Sequence, residues 1–366
     1  MKNKFNLSLF LKKIFKTFSY KLFFLFYGKI SVNKKYENKI IKKKTIRLDN
    51  KFKYSIYECN NSRIYTNRIQ DTAVIHKNII LSALSFQLRN NNFSKNIKDN
   101  IALKIGTPRK LKKINGTLVS LLTGGGGNNN FFHWMFDVLP KIAIIEKYYD
   151  LKKIDYFLCP DLNRWQLQTL ILLGLKKEQC LSSVKFRHVQ ANKIITVSHP
   201  WLRSKNIVKD IENLPIWISK WLRKKFINIK SNKNFSKKIY IDRSDTISNY
   251  RKIINENDLK ILLKKKGFKF FRLANLNFKD EVQLFYNAKK IVGLQGAGLT
   301  NLIWCRKNTR IIEIRSRYTN KLYENLSIQN NLNFLKIQSK PLEKNIKSHS
   351  VGGTLKINLK KLDKIL

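Results

Sequence analysis

From Lys238 to Ile314, short β-branched runs alternate with amphipathic stretches of helical length, and few folds accept that pattern. Lys238 to Asp242, Lys269 to Leu273, Lys290 to Leu294 and Arg310 to Ile314 read as strands. Between them, Leu259, Leu262 and Leu263 form the buried face of one helix, with Asn255 as N-cap and Gly267 closing it. Val282, Phe285 and Ala288 make the stripe of the next, capped by Asn277. Strands separated by helices of this length predict a parallel, Rossmann-like sheet. Ligands of such sheets bind at the carboxyl ends of strands. Arg243, Gln295 to Gly298 and Glu313 all fall at or near such ends.

The third of these strands runs into Gln295-Gly-Ala-Gly298, and an apolar stretch of helical spacing starts at Leu299. A strand, a glycine turn and a helix start present backbone N–H groups at the positive end of a helix dipole, and that arrangement suits phosphate. A lone Gly-x-Gly is more often a tight turn without a ligand. Here it stands beside Arg243 and Glu313 at neighbouring strand ends, and that convergence favours a site.

A second departure from pattern lies upstream. Gly124-Gly-Gly-Gly-Asn-Asn-Asn130 is a glycine- and asparagine-rich loop. The segment after it is apolar on nearly every face: Phe131, Phe132, Trp134, Met135, Phe136, Val138 and Leu139. His133 and Asp137, spaced i, i+4, interrupt it. A buried polar pair costs several kcal/mol unless satisfied. It reads equally as a hydrogen bond that locks the helix or as a pair placed for chemistry. Pro140 ends or kinks the segment.

Charge decides which partners to expect. The 366 residues hold 74 Lys and Arg against 23 Asp and Glu, a net of +51. Such a surface attracts anions, whether nucleic acid, anionic lipid or polyanionic glycan. The bases are spread along the whole chain, so nucleic-acid binding is the last-ranked reading. Cys59, Cys159, Cys180 and Cys305 lie far apart and read as core thiols in a reducing compartment, with no zinc spacing. No Asp-x-Asp metal clamp occurs, and neither a metal nor a cofactor is expected.

Four parts are expected: a basic amphipathic arm and connector (1–45), an α/β domain (46–230), a Rossmann-like domain (231–340) and a tail (341–366). In the arm, Leu7, Phe10, Leu11, Ile14, Phe15 and Phe18 share one helical stripe, with Lys12, Lys13 and Lys16 beside it. Its longest apolar run is too short to span a bilayer, and there is no signal-peptide core. The stripe either lies on an anionic membrane face or packs on the protein's own core. Tyr54 to Tyr57, Thr72 to Ile75 and Thr117 to Leu122 read as strands of the first domain.

Several motifs in order complete the reading. Asn130-Phe-Phe-His-Trp-x-x-Asp-x-Leu-Pro140, Tyr240-Ile-Asp-Arg243, Arg251-x-x-x-Asn255-Glu256 and Val292-Gly-x-x-Gly-Ala-Gly-Leu-Thr-Asn301, followed by Glu313, resemble glycosyltransferase family 61 over residues 120 to 315. The resemblance implies a GT-B-like fold, two Rossmann-like domains facing across a cleft, the C-terminal one holding the donor. It implies inverting, metal-independent transfer from a nucleotide sugar, most often a UDP-sugar. By the same matching, Arg243 and Arg251 would bind the diphosphate, with the N–H groups of Gly296, Ala297 and Gly298 beside them. Asn255, Glu256, Gln295 and Asn301 belong to the donor motifs, and Glu313 would bind ribose hydroxyls. Asp137 or His133 would stand near the acceptor as base, with Gly126, Gly127 and Asn130 in the acceptor-side loop ahead of them. Where many members carry His before Gly-Ala-Gly, this chain has Gln295, which can donate a hydrogen bond but cannot carry charge.

The reading is therefore a cytoplasmic glycosyltransferase, peripheral on the inner membrane face, acting on a cell-surface polysaccharide, lipopolysaccharide or lipid-linked glycan. A non-catalytic nucleotide-sugar or glycan binder on the same fold is the alternative.

Overall fold

The computed structural model describes residues 7–50, 52–68, 71–89, 92–93, 96–122, 130–204, 206–244, 251–343 and 353–366. Gly126 and Gly127 lie outside the described residues. The chain divides into two compact units: residues 1–129 with 137–200, and residues 130–136 with 201–366.

The first unit is built on a ten-stranded mixed sheet. Its strands are β1 (Lys42–Arg47), β2 (Lys53–Arg68), β3 (Asp71–His76), β4 (Ile79–Ile80), β5 (Phe86–Arg89), β6 (Asn92–Phe93), β7 (Lys112–Ser120), β8 (Tyr156–Cys159), β9 (Cys180–Ser182) and β10 (His188–Val197). The spatial order is β6-β5-β3-β2-β10-β7-β8-β9, with β1 also on β2 and β4 on β3. The half from β10 through β7 and β8 to β9 is parallel, whereas β2 runs antiparallel to β1, β3 and β10. The sixteen-residue β2 contains the expected run Tyr54 to Tyr57 and continues through Asn60 and Asn61. Asn61 takes a left-handed φ of 45°, which Asn tolerates better than most residues. Tyr54, Ile56, Ile64, Val74, Leu118, Leu158 and Ile194 are fully buried around this sheet.

Ahead of the sheet lies a 21-residue helix, Leu7–Tyr27. Among the described members of its stripe, Leu11, Ile14, Phe15 and Phe18 are all exposed. They do not pack on the protein's own core. No described helix is long and apolar enough to cross a membrane.

The second unit carries a five-stranded, wholly parallel sheet. Numbering continues with β11 (Lys238–Ile241), β12 (Arg251–Ile253), β13 (Lys269–Phe271), β14 (Lys290–Leu294), β15 (Arg310–Ser316), β16 (Asn333–Ser339) and β17 (Gly353–Leu355). The order is β13-β11-β14-β15-β16, and β12 pairs separately with β17. This is the parallel α/β arrangement that the strand–helix alternation predicts, with helices Glu256–Lys265 and Phe278–Asn287 between strands.

Both faces of this sheet are covered, as an all-parallel sheet requires. On one face Tyr240, Val292, Ile312 and Ile337 pack with Leu259 and Leu263 and with Leu355, Ile357 and Leu362 from the end of the chain. Elsewhere in the unit Phe226, Phe278 and Trp304 meet edge to face, with centroids 5.1 to 6.1 Å apart. Burying each such ring contributes roughly 1.5–3 kcal/mol. This core fixes the carboxyl ends of β11, β14 and β15 side by side.

Candidate active site

The strand β14 ends at Leu294, and Gln295 follows with its N–H donating to the Ile314 carbonyl at 2.8 Å. The Gln295 carbonyl then accepts from two guanidinium groups. Arg243, just past β11, donates to it through Nη1 at 2.6 Å, and Arg251, at the start of β12, donates through its own Nη1. Two cations on one oxygen repel each other. Burial first, and the neighbouring Arg243 second, push the Arg251 guanidinium down to about 10. The Arg251 Nε is buried and has no hydrogen-bond partner among the described residues. Such a pair is stabilised by an anion.

The glycines of the loop make room for this arrangement. Gly296 has an extended backbone (φ 166°), so its value is space and not a left-handed turn. A Cβ there would lie 2.5 Å from Arg243 Nη1 and 2.9 Å from its Cζ. A Cβ on Gly298 would meet Leu273 Cδ1 at 2.9 Å. Residues Ala297–Trp304 then form a 3₁₀ helix of eight residues, tighter than the α-helix such a turn usually starts. Ala297 and Gly298 are half-buried at its start.

The other expected donor residues are held by the protein itself. The Gln295 side chain is buried, its Oε1 accepting from Thr319 Oγ1 at 2.6 Å. Asn301 is fully buried: its amide donates to Glu281 at 3.0 Å, and its oxygen accepts from the Trp304 indole at 2.8 Å. Asn255 starts helix Glu256–Lys265 without a side-chain cap. Its amide instead exchanges two 2.9 Å hydrogen bonds with the Ile357 backbone and ties down the end of the chain. Glu256 accepts from Tyr240 Oη and pairs with Lys260, both at 3.2 Å.

Glu313, on β15, is 1% exposed, and its Oε2 accepts from Arg315 Nη1 at 3.1 Å. Its Oε1 has no partner among the described residues. Arg315 also donates to Glu324 at 2.7 Å, so Glu313 receives only part of its charge. Burial wins, and the Glu313 carboxyl is pushed up to about 7. A carboxyl raised on folding contributes stability that is present below about pH 4.5 and lost as pH rises through about 7. Glu313→Gln should remove that loss, flattening unfolding free energy by roughly 3 kcal/mol across this window in urea titrations. An unchanged pH slope would show that Glu313 is ionised throughout.

In the second unit, Asn130 caps a short helical turn, its side chain accepting from His133 N at 3.3 Å, and His133 is half-buried. The backbone then widens into a π turn over Trp134–Val138, so His133 and Asp137 do not keep the stacking of a straight helix. Pro140 follows in the first turn of helix Leu139–Ile145, and its missing N–H suits the break in the ladder. The border between the units falls inside this turn, with His133 on one side and Asp137 on the other.

Within the first unit, Asp137 is 1% exposed and its Oδ2 lies 3.9 Å from His199 Nε2, just past β10. Lys141, one turn on, is buried and donates to the Leu122 carbonyl at 2.7 Å. Burial pushes its ammonium down to about 7, with the Asp137 carboxylate opposing. A cavity of about 130 Å³ is lined by Lys141 and His199 and by the hydroxyl-bearing residues Thr72, Ser85, Ser120, Thr196 and Ser198 among others. Motif reading picks out neither Lys141 nor His199. The first was signalled by its spacing from Asp137; the second had no local signal.

No curated protein matches the chain. The family model for Glycosyltransferase 61 matches residues 131–312, from the helical turn just ahead of the π turn to the residue before Glu313. That span takes in Asp137, His199, the two arginines and the glycine loop, and the chain belongs to glycosyltransferase family 61 and is a glycosyltransferase.

Proposed function

We propose that this enzyme transfers a sugar, with inversion, from a nucleotide sugar (a UDP-sugar by the family resemblance) to a hydroxyl of a cell-surface polysaccharide, lipopolysaccharide or lipid-linked glycan. The observation that carries the donor side is the convergence of Arg243 and Arg251 on the Gln295 carbonyl beside Gly296. Those cations and the first N–H groups of the Ala297–Trp304 helix offer a diphosphate the charge that a metal supplies elsewhere. The GT-B-like arrangement of two Rossmann-like halves belongs to the same proposal.

In the reaction, the acceptor oxygen bonds to the anomeric carbon as that carbon's bond to the diphosphate oxygen breaks. The bond's electron pair leaves with the nucleoside diphosphate, where the arginines stabilise it. The proton of the acceptor hydroxyl goes to a base on the protein. Asp137 is that base, with His199 as its companion. His133 as base is the second assignment.

The lipid-linked or surface acceptor places the enzyme at the inner membrane face, with residues 1–30 in contact. The exposed stripe of the N-terminal helix supports this.

Arg243→Ala is the test of the donor site. It should weaken nucleotide-sugar binding roughly 10- to 150-fold, the equivalent of a charge-assisted contact of about 1.5–3 kcal/mol, and leave the bare nucleoside nearly unaffected. Equal losses for both ligands would remove Arg243 from the diphosphate site. No thermal stabilisation by any nucleotide sugar would sink the donor reading as a whole.

A further inference from the structure

The N-terminal helix carries more unpartnered apolar surface than the expected stripe. Leu11, Ile14, Phe15, Phe18, Leu22, Leu25 and Phe26 recur at three- and four-residue spacing and so share one face, and every one is exposed, Phe15 at 74% and Leu25 at 82%. The helix is nonetheless fixed at its end. Tyr27 Oη accepts from Leu111 N at 2.9 Å, and the Tyr27 ring stands edge-on to His188, 4.8 Å between centroids.

His188 lines a pocket of about 430 Å³, and Leu111 lies in sequence between two of its lining residues, Lys110 and Lys112. Five cations line the pocket: Arg109, Lys110, Lys112, Lys185 and Arg187. No carboxylate lines it, and none of the five forms an ion pair among the described residues. His188 is 1% exposed and also lines the pocket. Burial pushes its imidazole down to about 4, so the ring is neutral at working pH. Its Nδ1 lies 2.9 Å from the Arg109 carbonyl, which can only accept, so Nδ1 carries the proton. That leaves Nε2 as a buried acceptor with no partner among the described residues. Five clustered cations repel one another unless an anion joins them, and the lone acceptor calls for a hydroxyl on that anion.

We propose that the Arg109–Lys112–Lys185 pocket holds the phosphate of a hydroxylated anionic phospholipid headgroup while the apolar face of helix Leu7–Tyr27 lies in the same bilayer. The inference rests on the membrane-facing reading of residues 1–30 and adds to it a specific headgroup site. Tyr27 is the joint between the two parts. Aromatic and leucine side chains on one helix face with cations alongside are what an anionic interface binds.

The test is co-sedimentation of the full chain, at physiological salt, with vesicles of phosphatidylcholine alone or containing phosphatidylglycerol. The combined variant Arg109→Ala, Lys112→Ala, Lys185→Ala alters exposed residues only. It should lower partitioning onto phosphatidylglycerol vesicles by roughly 100-fold, taking about 1 kcal/mol per cation. A charge-matched control, Lys224→Ala, Lys264→Ala, Lys265→Ala, should stay within about twofold of wild type, because none of these exposed lysines lines the pocket. Phe15→Glu with Leu25→Glu should abolish binding to both vesicle types. Donor binding should be unchanged in every variant, which separates this inference from the enzymatic one.

Equal losses in the pocket variant and its control would reduce the effect to net charge and overturn the proposal. Loss in the helix variant alone would leave the membrane reading standing and remove the headgroup site. Inorganic phosphate that competes at the same concentration as lipid phosphate would reassign the pocket to a soluble anion. A dimer that only the helix variant dissociates, with vesicle binding intact, would give the apolar face to a second copy.

Discussion

Asp137→Asn should lower turnover by about 10²–10⁴ while leaving fold and donor affinity nearly unchanged, the usual contribution of a positioned general base. Asn keeps the shape of the carboxylate and most of its hydrogen bonding but cannot take the acceptor's proton. The case for Asp137 rests on its surroundings. It sits in a π turn, an irregularity that recurs at functional sites. One of its oxygens is 3.9 Å from His199, and the buried Lys141 follows one turn later. A carboxylate this buried needs polar partners, and His199 and Lys141 are two basic side chains that the first unit sets near it. His199→Gln should then reduce kcat more than KM and change the pH profile of kcat, since it acts through Asp137. An Asp137→Asn enzyme that folds, binds donor and transfers sugar at near wild-type rate would transfer the role to His133, and His133→Asn would be the variant to lose activity. An enzyme that binds donor and never turns over, even as wild type, would be a binder on the glycosyltransferase fold.

The second half of the chain was legible because each local signal agrees with the next. Strand 290–294 carries the expected bounds, and Asn277 caps its helix with a 3.0 Å bond from Asp280 N. Parallel strands buried on both faces leave little freedom in register, so pattern alone recovers them. The cluster of Arg243 and Arg251 around Gln295 was legible as a place, but the part each neighbouring residue plays was less so. Asn255 and Asn301 stand at the spacing of the family motif, yet their side chains join the chain's end to its core and pin Trp304. A polar residue that serves the fold and one that serves a ligand have the same letter. Gly296 shows the same ambiguity: the space it keeps open is filled by Arg243.

The first half was harder for a different reason. Its sheet mixes antiparallel β2 with parallel β7, β8 and β10, so contacts join residues far apart in sequence. His199 reaches Asp137 only because β10 ends where it does, and nothing near residue 199 announces that. The π turn is a matter of one hydrogen-bond register and leaves no periodicity to read. Lys141 was visible as a charge in an otherwise apolar helix, and its meaning came from burial.

Lys141 makes the second large effect. Its ammonium titrates at about 7 in the folded protein because burial disfavours the charge, with Asp137 opposing. In the unfolded chain a lysine titrates near 10.4. Between those values the unfolded chain binds a proton that the native protein does not, so unfolding free energy rises with pH across the window. Below about pH 7 both states are charged and the cost of burying the charge is constant. A displacement of more than three pKa steps corresponds to roughly 4–5 kcal/mol over the whole window. Lys141→Met keeps most of the volume and removes the titration. The stability difference, wild type minus variant, should therefore climb by several kcal/mol between about pH 7 and pH 10 in urea titrations. Its sign at low pH depends on what Asp137 and the Leu122 carbonyl lose, but its slope depends on Lys141 alone. Parallel curves would mean that Lys141 stays charged in the native protein, paired tightly enough with Asp137 to offset its burial. In that event the base assignment weakens too, because a carboxylate locked in a buried ion pair is poorly placed to accept a proton from a sugar hydroxyl.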